Sequence, residues 1–291
     1  MGSGSWDSKS FVSYSTSTRG AGVTFDDSGA ISTSYSNQEM FKSRRLDPAL
    51  DPKNVTRECV DSAEHPNTLP VILALDVTGS MGDAAVEVAK KLNVIMTDLY
   101  GKVNDVEFMI MGIGDFYCDS APLQVSQFES DIRIAEQLDK VYFEFGGGGN
   151  YYESYTSAWY FGSRHCKLDC WKRGKKGIII TMGDEQLNPY IPQSGMSASI
   201  KSVIGDNVQD DIDTKDLYEE ASKKFDIYHL QVDHDSRNWD KDDIIKSWKE
   251  YLDDTHFRVV TMDSIAKEIV DIVRSSAETS SPASITNEIS W

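Results

Sequence analysis

The feature that most constrains this chain is an alternation of two periods that begins at residue 71. Val71-Ile72-Leu73-Ala74-Leu75 is an unbroken apolar run that stops at Asp76. A strand with one wet face alternates polar and apolar residues, so an unbroken run reads as a strand buried on both faces of a parallel sheet. Residues 84–100 then carry Val86, Val88, Leu92, Ile95 and Leu99 at helical spacing. The exchange continues along the chain. Further strands are predicted at 106–113, 141–145, 177–181, 225–232 and 257–261. Helices are predicted at 130–140, 152–166, 215–224, 242–252 and 265–273. This order predicts one α/β domain over 70–275, a doubly wound, mostly parallel central sheet with helices on both faces. At 291 residues the chain can bury such a core without a disulfide or a structural metal.

The flanks read differently. Residues 1–36 are rich in Ser, Thr, Gly and Tyr and poor in aliphatics, so they are expected to bury little and to stay flexible. Phe11, Tyr14, Phe25 and Tyr35 leave room for docking onto the main body or a partner. Residues 37–69 form a lead-in with room for one short helix, ending at Pro70, and 276–291 read as a flexible tail. The formal net charge of −18 disfavours a nucleic-acid binder and favours cationic partners, metal ions included. No apolar run approaches the roughly 20 residues of a membrane span, and the first residues hold no apolar secretory segment. The four cysteines, Cys59, Cys118, Cys166 and Cys170, are sparse and irregularly spaced, which suits reduced thiols and a cytoplasmic location.

In open α/β sheets, ligands bind outside the carboxyl ends of the strands. Past the first strand lies Asp76-Val77-Thr78-Gly79-Ser80. Asp76, Thr78 and Ser80 put one carboxylate and two hydroxyls on alternate residues of a strand-to-helix turn, where all three oxygens can converge. Hard oxygen ligands with room for water suit Mg²⁺, or Mn²⁺, better than zinc. Hydroxyls in place of further carboxylates leave the ion under-neutralised, so it still attracts an anionic ligand from outside.

These residues, with the apolar strand before them, resemble the von Willebrand factor A family and its metal-ion-dependent adhesion site, an Asp-x-Ser/Thr-x-Ser motif. The resemblance covers about 70–275 and implies a Rossmann-like sheet. It also implies a ligand from a later Gly-rich loop and an Asp after the fourth strand. The Gly-rich loop here is Gly146-Gly147-Gly148-Gly149-Asn150, so Asn150 stands where the family has Thr, with Glu153 as the backup. After the fourth strand comes Thr181-Met182-Gly183-Asp184-Glu185. Met182 holds the usual Asp position, and Asp184, two residues later, reaches the metal only if the loop is shifted. Glu185 is its alternative, or no carboxylate at all. The implied function is metal-dependent protein binding, in which a partner's carboxylate completes the Mg²⁺ shell. Intracellular prokaryotic relatives act as adaptors in multiprotein assemblies, some alongside AAA-type ATPases.

The remaining candidates weigh less. Asp115 and Asp119 follow the second strand, either near the metal, on a partner-binding rim or in a solvated loop. Phe116, Tyr117, Tyr151 and Tyr152 could form an aromatic rim, the alternative being that Tyr151 and Tyr152 start a helix and pack inward. His165, Cys166 and Cys170 lack a fourth zinc ligand and a Cys-x-x-Cys pair. His229 reads as a core histidine, and the basic run 171–176 as a solvated loop at the far edge of the sheet. No Gly-x-Ser-x-Gly elbow or Walker-type loop is present. The rival reading is a Mg²⁺-dependent phosphohydrolase that resembles the haloacid dehalogenase superfamily. Asp76 would be its nucleophile, Asp184 and Glu185 its later acidic motif, and Lys175 or Lys176 its phosphate-pairing lysine. Against it, Thr78 stands where such phosphatases carry a general-acid Asp.

Overall fold

Strand β1, Leu69–Asp76, is the axis of the molecule. In the computed structural model, which describes residues 4–144, 152–233 and 240–279, β1 lies at the centre of a six-stranded sheet. The other strands are β2 (Val106–Ile113), β3 (Leu123–Val125), β4 (Gly177–Gly183), β5 (Phe225–Val232) and β6 (Phe257–Val260). Their spatial order is β6-β5-β4-β1-β2-β3, parallel except for the antiparallel edge strand β3. This is a doubly wound α/β sheet whose strand order reverses between β1 and β4.

The apolar run of β1 divides by parity. Val71, Leu73 and Leu75 join one core with Val88, Leu92, Ile95 and Leu99 of helix α2 (Gly82–Tyr100) and Ile269, Ile272 and Val273 of helix α7 (Ile265–Thr279). Ile72 and Ala74 face a second core with Trp159 and Phe161 of helix α4 (Thr156–His165) and Trp248 of helix α6 (Lys241–Lys249). Successive side chains of a strand point to opposite faces, so an unbroken run is what two cores demand. In chain order α3 (Arg133–Leu138) follows β3, and α5 (Thr214–Ala221) lies between β4 and β5.

Three expectations need correction. The Ser/Thr-rich segment before residue 36, expected to bury little, instead forms helix α1 (Ser8–Arg19). Asp7 caps it by accepting from the Ser10 N–H at 2.8 Å, and Phe11 and nearby Trp6 pack into the α2 core. The Trp6 indole donates to Asn93 of α2 at 3.0 Å. The strand expected at 141–145 is absent from its described residues, 141–144. There the Gln124 amide donates to the Tyr142 carbonyl at 2.7 Å and accepts from its N–H at 2.9 Å, so a side chain stands in for a ladder. Val141 and Phe143 turn inward, which mimics the period of a strand. The helix expected from 152 starts only at Thr156, because Tyr152–Glu153 pair in parallel with Gln186–Leu187. In the lead-in, Asn37–Met40 form one helical turn with a capping box, and Arg57–Cys59 pair with Cys166–Leu168. Among the described residues no helix is long and apolar enough to cross a membrane.

Candidate metal centre

Asp76 is the last residue of β1, at the reversal point of the sheet, and its side chain is fully buried. Its Oδ1 accepts from the Thr78 N–H at 2.9 Å and from the Thr78 hydroxyl at 2.6 Å. Its Oδ2 accepts from the Tyr155 hydroxyl at 2.8 Å. Across the reversal, Asp184 follows β4 and is also buried, and its Oδ1 accepts from the Ser80 hydroxyl at 3.1 Å. Thus Asp76, Thr78, Ser80 and Asp184 meet, although Met182 holds the position the family gives to Asp. Met182 is instead a core residue beside Leu75. Asn150 and Tyr151 lie outside the described residues.

Burial raises the Asp76 carboxyl above its ordinary value, and the nearby Asp184 charge adds to this; the hydrogen bonds from Thr78 and Tyr155 pull the other way. Glu153 is buried as well. Its Oε2 has no hydrogen-bond partner among the described residues, and burial followed by the charges of Asp76, Asp119 and Asp115 drives its carboxyl well above the usual range. No lysine or arginine pairs with Asp76 or Glu153 among the described residues. Charges this deeply buried call for a counter-ion or a proton. Two carboxylates and two hydroxyls, all hard oxygen donors, fit Mg²⁺ or Mn²⁺. Among the described residues no three His, Cys, Asp or Glu side chains group as a metal site, so any cation here must use the hydroxyls.

Tyr155 carries no motif signal, and sequence reasoning missed it. Its ring packs against His229 and Trp248, at 5.3 and 5.2 Å between centroids, and its hydroxyl also accepts from the Glu185 N–H at 3.2 Å. Gly183 is needed for this, since a Cβ there would stand 1.9 Å from the Tyr155 oxygen. Glu185 is half-buried and is tied through its backbone, its carbonyl accepting from the Trp248 indole at 3.2 Å.

The acidic loop after β2 is not solvated. Asp115 and Asp119 are buried, and Asp119 accepts from the Asp115 N–H at 2.7 Å. The Ser154 hydroxyl accepts from the Phe116 N–H at 3.0 Å, which stitches this loop to the segment bearing Glu153 and Tyr155. Of the proposed rim, Phe116 is fully buried core, whereas Tyr117 and Tyr152 are 45% and 36% exposed. With Tyr190 and Pro192 they line a groove of about 320 Å³. His229 is core, stacked 3.6 Å from Trp248, with Nδ1 at 2.9 Å from the Thr181 hydroxyl. Burial lowers its pKa to about 3. Cys166 and Cys170 are buried thiols whose pKa burial raises, and His165 pairs with Asp206 at 2.7 Å. Lys175 and Lys176 precede β4, at the opposite end of the parallel strands from Asp76.

No family model and no curated protein matches the sequence. Solved structures do. The pilus adhesin SpaC from Lactobacillus rhamnosus GG, in its open conformation, superposes over 78% of this chain with a TM-score of 0.51 and 14% identity. The match covers 31% of SpaC, so this chain spans about a third of that protein's length. The vWF domain of the type V pili tip protein Mfa5 from Porphyromonas gingivalis matches 75% of this chain and 98% of its own, at 12% identity and a TM-score of 0.44. What the chain shares with SpaC at this identity is the fold.

Proposed function

We propose that this chain is a von Willebrand factor A-like, metal-dependent protein-binding domain. Asp76, Thr78, Ser80 and Asp184 would hold Mg²⁺ or Mn²⁺, and a carboxylate of a partner protein would complete the shell. One observation carries this reading. Two buried carboxylates from opposite sides of the sheet reversal meet two hydroxyls, and among the described residues no basic side chain pairs with Asp76. Asn150 is the proposed further ligand. The likeness in fold to a pilus adhesin supports binding over catalysis. The partner in this reading is a protein, and a cytoplasmic assembly with an AAA-type ATPase is the setting that the family resemblance suggests. The phosphohydrolase reading needs a lysine beside Asp76. Lys175 and Lys176 stand a strand length away, roughly 20 Å for seven residues.

The test is capture of partners with and without chelator, beside calorimetry with MgCl₂. Mg²⁺ binding and chelator-sensitive capture, both lost in Asp76→Ala, are expected. Reproducible Mg²⁺-dependent hydrolysis of a phosphate ester that is lost in Asp76→Asn would overturn the reading.

A further inference from the structure

The amino-terminal end of the sheet, opposite the candidate metal centre, holds a cleft of about 520 Å³. It forms where the start of β1, the turn from α2 to β2, the turn before β4 and the last turns of α7 come together. Its frame is rigid. The Leu69 N–H donates to the Asp105 carbonyl at 2.8 Å, and the Asn67 N–H donates to the Asp105 carboxylate at 3.1 Å. Arg173 ties down the neighbouring loop by donating to the Thr68 carbonyl at 2.7 Å and to Asp61.

The charge of this cleft runs against the rest of the molecule. Lysine and arginine are outnumbered 29 to 47 in the whole chain, yet Lys102, Arg173, Lys175, Lys176 and Arg274 line the cleft against only Asp105 and Glu278. Two of the five cations are already engaged, Arg173 as above and Lys176 with Asp226 at 3.3 Å. The side chains of Lys102, Lys175 and Arg274 have no hydrogen-bond or ionic partner among the described residues. The helix dipole favours cations within the last turn of a helix, but Arg274 lies more than a turn before the end of α7 and Lys102 lies past the cap of α2, so it does not account for them. Nor does it account for their meeting Lys175, from the turn before β4, across one cavity.

We infer that this cleft is an anion site for a small molecule carrying two or more phosphate groups. Three cations from three separate elements suit several anionic oxygens spread over a few ångströms better than one carboxylate. An arginine among them can take two phosphate oxygens at once. The volume falls in the range of pockets that hold nucleotide-sized ligands, and Leu69 and Val103 give it an apolar wall. The site is independent of the metal centre.

Calorimetry of the full chain in metal-depleted buffer, with inorganic tripolyphosphate as the probe, tests this. Saturable binding is expected, tighter than for orthophosphate and weakened by NaCl. Lys102→Glu with Lys175→Glu should weaken it at least tenfold while leaving the melting temperature unchanged. Lys215→Glu with Lys246→Glu, an equal charge change away from the cleft, should leave binding intact. Absence of saturable binding at about 1 mM probe would overturn the assignment. So would equal losses in the two double variants, which would mark a net-charge effect only. An acidic peptide that binds the cleft more tightly than tripolyphosphate would overturn the phosphate class. Adenosine diphosphate and triphosphate, titrated in parallel, separate a nucleotide from a free oligophosphate.

Discussion

Asp76 is the residue on which the candidate centre turns, because it is a fully buried carboxylate held, among the described residues, only by uncharged donors. Ligand binding to the folded state alone raises the melting temperature by mass action. Mg²⁺ should therefore raise it in the parent and not in Asp76→Ala, as thermal melts with and without MgCl₂ will read. Tyr155→Phe removes the donor that fixes Oδ2 and leaves the packed ring in place. Losing that one hydrogen bond should weaken Mg²⁺ binding about fivefold, or roughly 1 kcal/mol, while the core stays intact. Unchanged affinity by calorimetry would show that Tyr155 does not position Asp76. Glu107, in β2 and away from the centre, carries a different consequence. Burial pushes its carboxyl up to about 7, although a hydrogen bond with Cys59 offsets part of the effect. Its folded value lies above its unfolded one, so its contribution to stability is full below about pH 4.5 and is lost as pH rises through 7. One proton taken up on folding gives a slope of at most about 1.4 kcal/mol per pH unit. Glu107→Gln should flatten the fall in melting temperature between pH 5 and 8, and an unchanged slope would show that Glu107 does not titrate on unfolding.

At the scale of elements, the loops decide what surrounds the centre. Phe116 and Tyr117 are neighbours in sequence with opposite fates, one a buried member of the core that holds Trp159 and Trp248, the other exposed. Phe116→Ala should cost about 3–5 kcal/mol in chemical denaturation. Tyr117→Ala with Tyr152→Ala should leave stability nearly unchanged and weaken capture of the partner. Full-strength capture by that folded double variant would remove the exposed tyrosines from the binding surface. This contrast was not legible in the sequence, since adjacent aromatics in an irregular loop have no period to sort them. The long buried strands were legible: β2 and β5 lie where the apolar runs put them. The third strand was not, because an edge strand of three residues, Leu123–Val125, holds too short a pattern. The alternation of Val141 and Phe143 imitated one instead. Helix α1 is hidden in the sequence for a related reason. Its serines and threonines suggested a loose segment, but a few aromatic side chains, Phe11 with Trp6 beside it, sufficed to dock it.

Across the whole molecule, the candidate centre was legible where chain order and strand order combine. The ends of β1 and β4 are neighbours, so Asp76 could be paired on paper with the turn after β4, although Met182 in the family's Asp position left Asp184, Glu185 or no carboxylate open there; the Ser80–Asp184 hydrogen bond picks out Asp184. Tyr155 could not be paired on paper, since nothing local says that a residue 79 positions further on returns to the same carboxylate. The same topology bears on how the protein is made. Helix α2 is held by α1 from one end of the chain and by α7 from the other. Its stripe of Leu92, Ile95 and Leu99 therefore leaves the ribosome long before the α7 residues Ile269, Ile272 and Val273 that cover it. At about 5–20 residues per second, that interval is roughly 10–30 s. Throughout it the nascent chain holds that stripe without its α7 cover, an apolar surface of the kind chaperones shield.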